Sequence, residues 1–145
     1  EPWLGEEPRP ADIFCIMYTS GTTGPSKGVL MPHCHCALLG LGAIRSMAIT
    51  PQDKYYICLP LFHANGLFMQ LGATVQARIP AFVRRRFSAG RWLSDIRESG
   101  ATLTNHLGTT AMFVIKQPPS PQDRNHLLRA TLNAPNPAPH EVAFR

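Results

Sequence analysis

The chain has 145 residues, 44% of them hydrophobic and 16% charged, with a formal net charge of +5 at pH 7. That length supports one core or one piece of a larger domain, and that balance excludes the weakly hydrophobic, highly charged composition of disordered chains. The arginines are scattered apart from Arg84-Arg85-Arg86 and lack the interleaved aromatics or single basic helix face of a nucleic-acid footprint, so no nucleic-acid partner is expected.

No run reaches the roughly 18 apolar residues of a spanning helix, and the start lacks the basic and apolar regions of a signal peptide. No membrane span and a cytoplasmic location are the resulting expectations. Glu1 in place of methionine, and a closing stretch Pro139-His140-Glu141-Val142-Ala143-Phe144-Arg145 that resembles a helix interrupted after its start, give the expectation of an internal fragment.

Residues 1–12, with Pro2, Pro8, Pro10 and four acidic groups, read as an extended lead-in, and 13–145 as a single unit. Ile13 to Tyr18 is a short apolar run ending in a Thr/Ser/Gly cluster, as expected of a buried strand with its loop at the carboxyl end. Gly28 to Pro32 predicts a second strand. From His33 to Met47 the apolar positions Ala37, Leu38, Leu41, Ile44 and Ala48 recur at helical spacing. Tyr55 to Leu59 predicts a strand that stops at Pro60, Asn65 to Leu71 a short helix, and Ala73 to Ala77 another strand. Ser88 is placed as the N-cap of a helix with Trp92, Leu93 and Ile96 on one face, closed by Gly100 in the left-handed conformation. Thr102 to Asn105 predicts a strand and Thr109 to Gln117 a helix, halted by Pro118-Pro119. Alternating strands and helices define an α/β layer structure.

Cys15 and Cys58 fall in apolar runs where cysteine acts as a small hydrophobe, and disulfides are not expected. His33-Cys34-His35-Cys36 has the composition of a zinc site. Side chains two apart on a helix diverge by about 200°, however, so the segment reads as an ordinary helix start with no metal bound.

The chemistry concentrates in Tyr18-Thr19-Ser20-Gly21-Thr22-Thr23-Gly24-Pro25-Ser26-Lys27-Gly28. Glycines let backbone N–H groups turn inward, hydroxyls donate to phosphate oxygens, and a lysine supplies a mobile positive charge. A Walker loop is excluded because Lys27 leads into Val29-Leu30-Met31 instead of into a helix. The string resembles the signature of the adenylate-forming (AMP-binding) superfamily. In that resemblance Thr19, Ser20, Gly21, Thr22, Thr23, Gly24 and Lys27 embrace the β- and γ-phosphates of ATP, with Ser26 standing where proline is commoner. Pro60-Leu61-Phe62-His63-Ala64-Asn65-Gly66 resembles a second motif of the same superfamily, which implies that His63 lies on the acyl side, near the reacting carboxylate. Phe62-His63 favours the acyl-CoA or luciferase branch over peptide-synthetase adenylation domains. Arg86-Phe87-Ser88-Ala89, Trp92, Asp95-Ile96-Arg97, Gly100-Ala101-Thr102 and Asn105-His106-Leu107-Gly108 look like the crotonobetaine/carnitine-CoA ligase group.

The resemblance implies part of the large N-terminal α/β domain of an acyl-CoA synthetase, with ATP, Mg²⁺, coenzyme A and a small carboxylate as its ligands. The Tyr-Gly-x-Thr-Glu motif that supplies a metal-linked glutamate in that family does not occur in the chain, nor does its C-terminal lysine segment, so the chain alone is expected to be inactive. A non-catalytic nucleotide- or phosphate-binding module, and an interaction piece with a relict loop, are the alternatives from other classes.

Overall fold

The computed structural model describes residues 5–19 and 24–134. Strands β1 (Ile13–Thr19) and β2 (Lys27–Pro32) form an antiparallel hairpin in which Tyr18 faces Gly28 and Thr19 faces Lys27. A Cβ on Gly28 would come within 2.9 Å of Ile16 Cγ2, so a larger residue there would require the Ile16 side chain to shift. Pro32 passes directly into helix α1 (His33–Ser46). Four short parallel strands build the second sheet in the order β4-β3-β5-β6, where β3 is Tyr55–Ile57, β4 Ala81–Val83, β5 Leu103–His106 and β6 Ala130–Asn133. A π-type helix, Asn65–Gly72, runs straight into α2 (Ala73–Ala77) between β3 and β4. Helix α3 (Ala89–Ser99) joins β4 to β5, and α4 (Gly108–Ile115) follows β5.

Alternation along the strands sends successive side chains to opposite faces and divides the core in two. Tyr55, Ile57 and Leu103 pack with Ala43, Met47, Ala73 and Ile79 against α1 and the paired helices Asn65–Ala77. On the other face Tyr56 and Cys58 pack with Trp92, Ile96 and Ala101 of the α3 side. Burial in that layer pushes the Cys58 thiol up to about 12, so it behaves as a hydrophobe, as the sequence suggests. All four cysteines are free, and among the described residues no three His, Cys, Asp or Glu side chains gather as a metal set.

Two buried carboxylates tie the layers together. Asp53 accepts from Arg129 Nε at 2.8 Å and Nη2 at 2.5 Å, and from the Thr50 N–H at 2.8 Å. Arg129 holds that carboxyl well below the usual carboxylate range. The same guanidinium donates to the carbonyls of Met47 and Ala48 at 3.1 and 2.9 Å, capping the end of α1 where Ala48 takes φ 46°. Asp95, on α3, accepts from Arg84 Nε at 2.8 Å and from the Tyr56 hydroxyl at 3.0 Å, and Arg84 likewise lowers its pKa.

Several sequence expectations need correction. Ala73–Ala77 is helical, because Ala73 packs without exposure under Gly40 of α1 and the chain continues the preceding helix with no breaker beyond Gly72. Strands β4 and β6 were not anticipated. Ser88 occupies the N-cap position of α3 but makes no side-chain cap bond, whereas Gly100 closes that helix at φ 63° as expected. Helix α1 buries Gly40 and Ala43, not the predicted Leu38 and Leu41, since small residues admit the closest approach of the neighbouring helix.

The hairpin is not buried either: Ile13, Phe14, Ile16, Tyr18, Val29 and Leu30 are all exposed, Tyr18 to 74%, and Leu38 of α1 to 64%. Apolar faces of this extent drive association. The 145-residue chain expressed alone is therefore expected to self-associate at micromolar concentration and to bind a hydrophobic dye; a monodisperse monomer in sedimentation with cooperative thermal unfolding would contradict this.

Candidate functional site

The glycine-rich string spans the end of one antiparallel strand and the start of the next, so it is a strand–loop–strand element. Thr19 and Lys27 form the last rung below the loop, and the Thr19 hydroxyl donates to the Lys27 carbonyl at 3.4 Å. Thr19, Gly24 and Lys27 are all exposed, and the space where a Cβ on Gly24 would sit is open. Ser20, Gly21, Thr22 and Thr23 lie outside the described residues.

His63 follows the carboxyl end of β3, the edge where open parallel sheets bind ligands. The turn begins with the His63 N–H donating to the Pro60 carbonyl at 3.1 Å and continues with Leu67 N–H to the His63 carbonyl at 3.0 Å. Gly66 is required there, because a Cβ would stand 2.4 Å from the Pro60 carbonyl oxygen and 2.8 Å from that of Leu59. Phe62 and His63 are exposed, Phe62 to 85%. The Asn65 N–H donates to His63 Nδ1 at 3.4 Å. A neutral imidazole that accepts at Nδ1 carries its proton on Nε2, so the nitrogen left to meet a ligand is a donor.

The structure links the two motifs through one aromatic side chain. Phe14 of β1 meets His33 at the start of α1, with centroids 5.1 Å apart, and Phe68 of the helix after His63 at 6.1 Å. The hairpin is thereby seated against the element that carries the second motif.

The carboxyl end of β4 lies beside that of β3, since Ile57 pairs with Val83 and the Arg84 N–H donates to the Ile57 carbonyl at 2.8 Å. Arg84, Arg85, Arg86, Ser88, Arg91 and Asp95 line an open cleft of about 490 Å³ on this edge. Arg84 is committed to Asp95, while Arg85 and Arg86 have no carboxylate partner among the described residues. In the sequence this run lacks a nucleic-acid footprint and Arg86 opens a ligase-like string; its place at the edge where β3 ends follows only from strand order.

At the carboxyl end of β5 lies His106, fully buried, its ring 4.9 Å from that of Trp92 and its Nδ1 3.2 Å from the Thr110 hydroxyl. Burial lowers its pKa to about 4, so it is a neutral core group. The pairing of two motif residues is not legible in the sequence. Asn65 and Asn105 are buried amides joined by a 2.7 Å bond from Asn105 Nδ2 to Asn65 Oδ1, and the Tyr55 hydroxyl donates to Asn105 Oδ1 at 2.6 Å. Among the described residues no helix is long and apolar enough to cross a membrane.

Comparison with known proteins agrees with this architecture. The chain is 36% identical over 121 residues to the medium/long-chain-fatty-acid–CoA ligase FadD17 of Mycobacterium marinum, covering 83% of this chain and 24% of that one. It superposes on ATP-bound MatB from Rhodopseudomonas palustris with TM-score 0.80 at 26% identity, covering 91% of this chain and 26% of the other. With the o-succinylbenzoate coenzyme A synthetase MenE of Bacillus subtilis, in complex with ATP and magnesium ion, the TM-score is 0.73 at 28% identity, over 87% of this chain and 26% of that one. The chain thus spans about a quarter of the length of these relatives. The α/β architecture is that of part of the N-terminal domain of adenylate-forming enzymes, and with the AMP-binding enzyme family matching residues 2–145, the chain belongs to that family.

Proposed function

We propose that this chain supplies the phosphate loop and the acyl-side histidine of an ATP-dependent ligase that joins a carboxylic acid to coenzyme A. The observation that carries the reading is the strand–loop–strand element closed by the Thr19–Lys27 rung, in a chain of the AMP-binding enzyme family. In the reaction a carboxylate oxygen attacks the α-phosphorus of ATP, the bond to the β-phosphate breaks and pyrophosphate leaves. The acyl-adenylate then passes its acyl group to the thiol of coenzyme A, releasing AMP.

Thr19, Ser20, Gly21, Thr22, Thr23, Gly24 and Lys27 act on the departing pyrophosphate, by N–H and hydroxyl donation and by the charge of Lys27. His63 presents Nε2–H to the carboxylate and orients it. Magnesium, when bound with ATP, would offset the phosphate charge. Arg85 and Arg86 leave positive charge on the same sheet edge, which suits polyanionic substrates. The relatedness to FadD17 favours a medium- or long-chain fatty acid over a crotonobetaine- or carnitine-like acid.

ATP–pyrophosphate exchange tests the reading. The ligase that carries this segment is expected to exchange label only when a carboxylate is present. The 145-residue chain alone is expected to give no exchange above a Lys27→Ala control. Exchange by the isolated chain, or carboxylate-independent exchange by the ligase, would overturn the respective claim.

A further inference from the structure

A buried polar relay ends on the main chain beside His63. The Tyr55 hydroxyl donates to Asn105 Oδ1 at 2.6 Å, Asn105 Nδ2 donates to Asn65 Oδ1 at 2.7 Å, and the Asn65 N–H donates to His63 Nδ1 at 3.4 Å. Tyr55 and Asn105 have no exposure and Asn65 has 5%. Tyr55 pairs with Leu103 across the β3–β5 ladder, so Asn105, two residues on, faces the same side of the sheet. Their partners on that side are apolar: Ile57, Ala73, Ala43 and Leu103.

An amide in such a layer is costly unless its hydrogen bonds are made, and an aliphatic side chain would satisfy packing alone. What the amide adds is direction, because its two ends distinguish donor from acceptor. Tyr55 fixes the Asn105 amide, Asn105 fixes the Asn65 side chain, and Asn65 sits where its N–H meets the imidazole. Gly66, confined by the Pro60 and Leu59 carbonyls, leaves the turn little freedom to reach that geometry another way.

We propose that Asn105 is a positioning residue for His63: through Asn65 it holds the ring as the tautomer that carries its proton on Nε2, so that the exposed histidine meets the substrate carboxylate as a hydrogen-bond donor. This rests on the ligase reading above. A histidine free to exchange tautomers would meet the carboxylate with a bare Nε2 lone pair part of the time, which repels it. Asn105 acts at a distance and touches neither substrate.

The test is a double-mutant cycle of Asn105→Leu and His63→Ala in the ligase that carries this segment, with Tyr55→Phe as a milder variant that keeps the ring. Carboxylate-dependent pyrophosphate exchange and ¹⁵N imidazole spectra of His63 are the readouts. Asn105→Leu is expected to raise the carboxylate KM about five- to tenfold, leaving the ATP KM within about twofold, as for loss of one hydrogen bond. In the His63→Ala background it should add nothing further, because both act through the same ring. The spectra should show a pyridine-like Nδ1 in the wild type and mixed tautomers in Asn105→Leu and Tyr55→Phe. Additive losses in the cycle, or an unchanged tautomer in both variants, would overturn the relay while leaving the ligase reading intact. A wild-type protein without carboxylate-dependent exchange would remove the ligase reading instead, and the spectra would still decide whether the relay sets the tautomer.

Discussion

Replacing Lys27 with alanine in the ligase is expected to slow adenylate formation by roughly ten- to a hundredfold, because a charge-assisted hydrogen bond to phosphate is worth about 1.5 to 3 kcal/mol and each 1.36 kcal/mol is a factor of ten. Thr22→Ala should show a loss of the same kind, since its hydroxyl belongs to the same loop. Lys27 lies directly across the last rung from Thr19, which sets its main chain at the end of the paired hairpin, next to the glycine-rich segment. His63→Ala should fail differently. Its effect is expected on the carboxylate KM and on chain selectivity, with the ATP KM nearly unchanged, because His63 belongs to the turn after β3 and not to the hairpin. Steady-state kinetics with each substrate varied in turn separate the two. A His63→Ala enzyme that lost ATP affinity while keeping its carboxylate dependence would refute the acyl-side assignment.

Acid should weaken this domain well above the range where carboxylates protonate. An unfolded histidine takes its proton near pH 6.5, as a typical value, whereas burial lowers His106 to about 4. Between those values the unfolded chain binds more protons than the folded one, so stability falls as pH falls through this window and is fully present above it. Going from pH 7 to pH 5 should cost about 2 kcal/mol, since each pKa unit corresponds to about 1.4 kcal/mol. Asp53 and Asp95, whose carboxyls are lowered by Arg129 and Arg84, contribute stability that is lost only as the pH drops below about 4. Denaturant midpoints at stepped pH for wild type and His106→Gln check this: the variant should start lower yet show a flatter profile from pH 7 to 5. Parallel profiles would mean that His106 does not carry the dependence.

The parts of the fold legible in the sequence were those whose signal is local. The run before the glycine loop, the helix entered at His33, the strand begun at Tyr55 and the left-handed Gly100 each carry their cause within a few residues, although that strand ends at Ile57 and not at Pro60. Ala73–Ala77 was misread because Thr74 and Val75 favour strands locally, while the helix there is imposed by packing under Gly40. Strands β4 and β6 are so short that only pairing with β3 and β5 defines them. Leu38 and Leu41 follow the helical period, yet the buried stripe runs through Gly40 and Ala43, whose small size signals contact and not polarity.

The site divides in the same way. Lys27 and His63 stand out in the sequence because each motif is contiguous. Asn65 and Asn105 fall within quoted motifs and Tyr55 within an expected strand, yet their mutual bonds are not legible there, because they join residues 40 and 50 positions apart. Arg85 and Arg86 gain a place at the sheet edge where β3 ends only once β4 is set next to β3.

The central claim is AMP-forming activation of a carboxylate, and the most direct measurement follows the phosphates of ATP. With ATP labelled separately at the α and γ positions, a fatty acid and coenzyme A, the ligase carrying this segment is predicted to release AMP and pyrophosphate in equal amounts, only when the acid is present, and far more slowly after Lys27→Ala. Release of ADP and inorganic phosphate, or AMP formation indifferent to both the acid and Lys27, would contradict it.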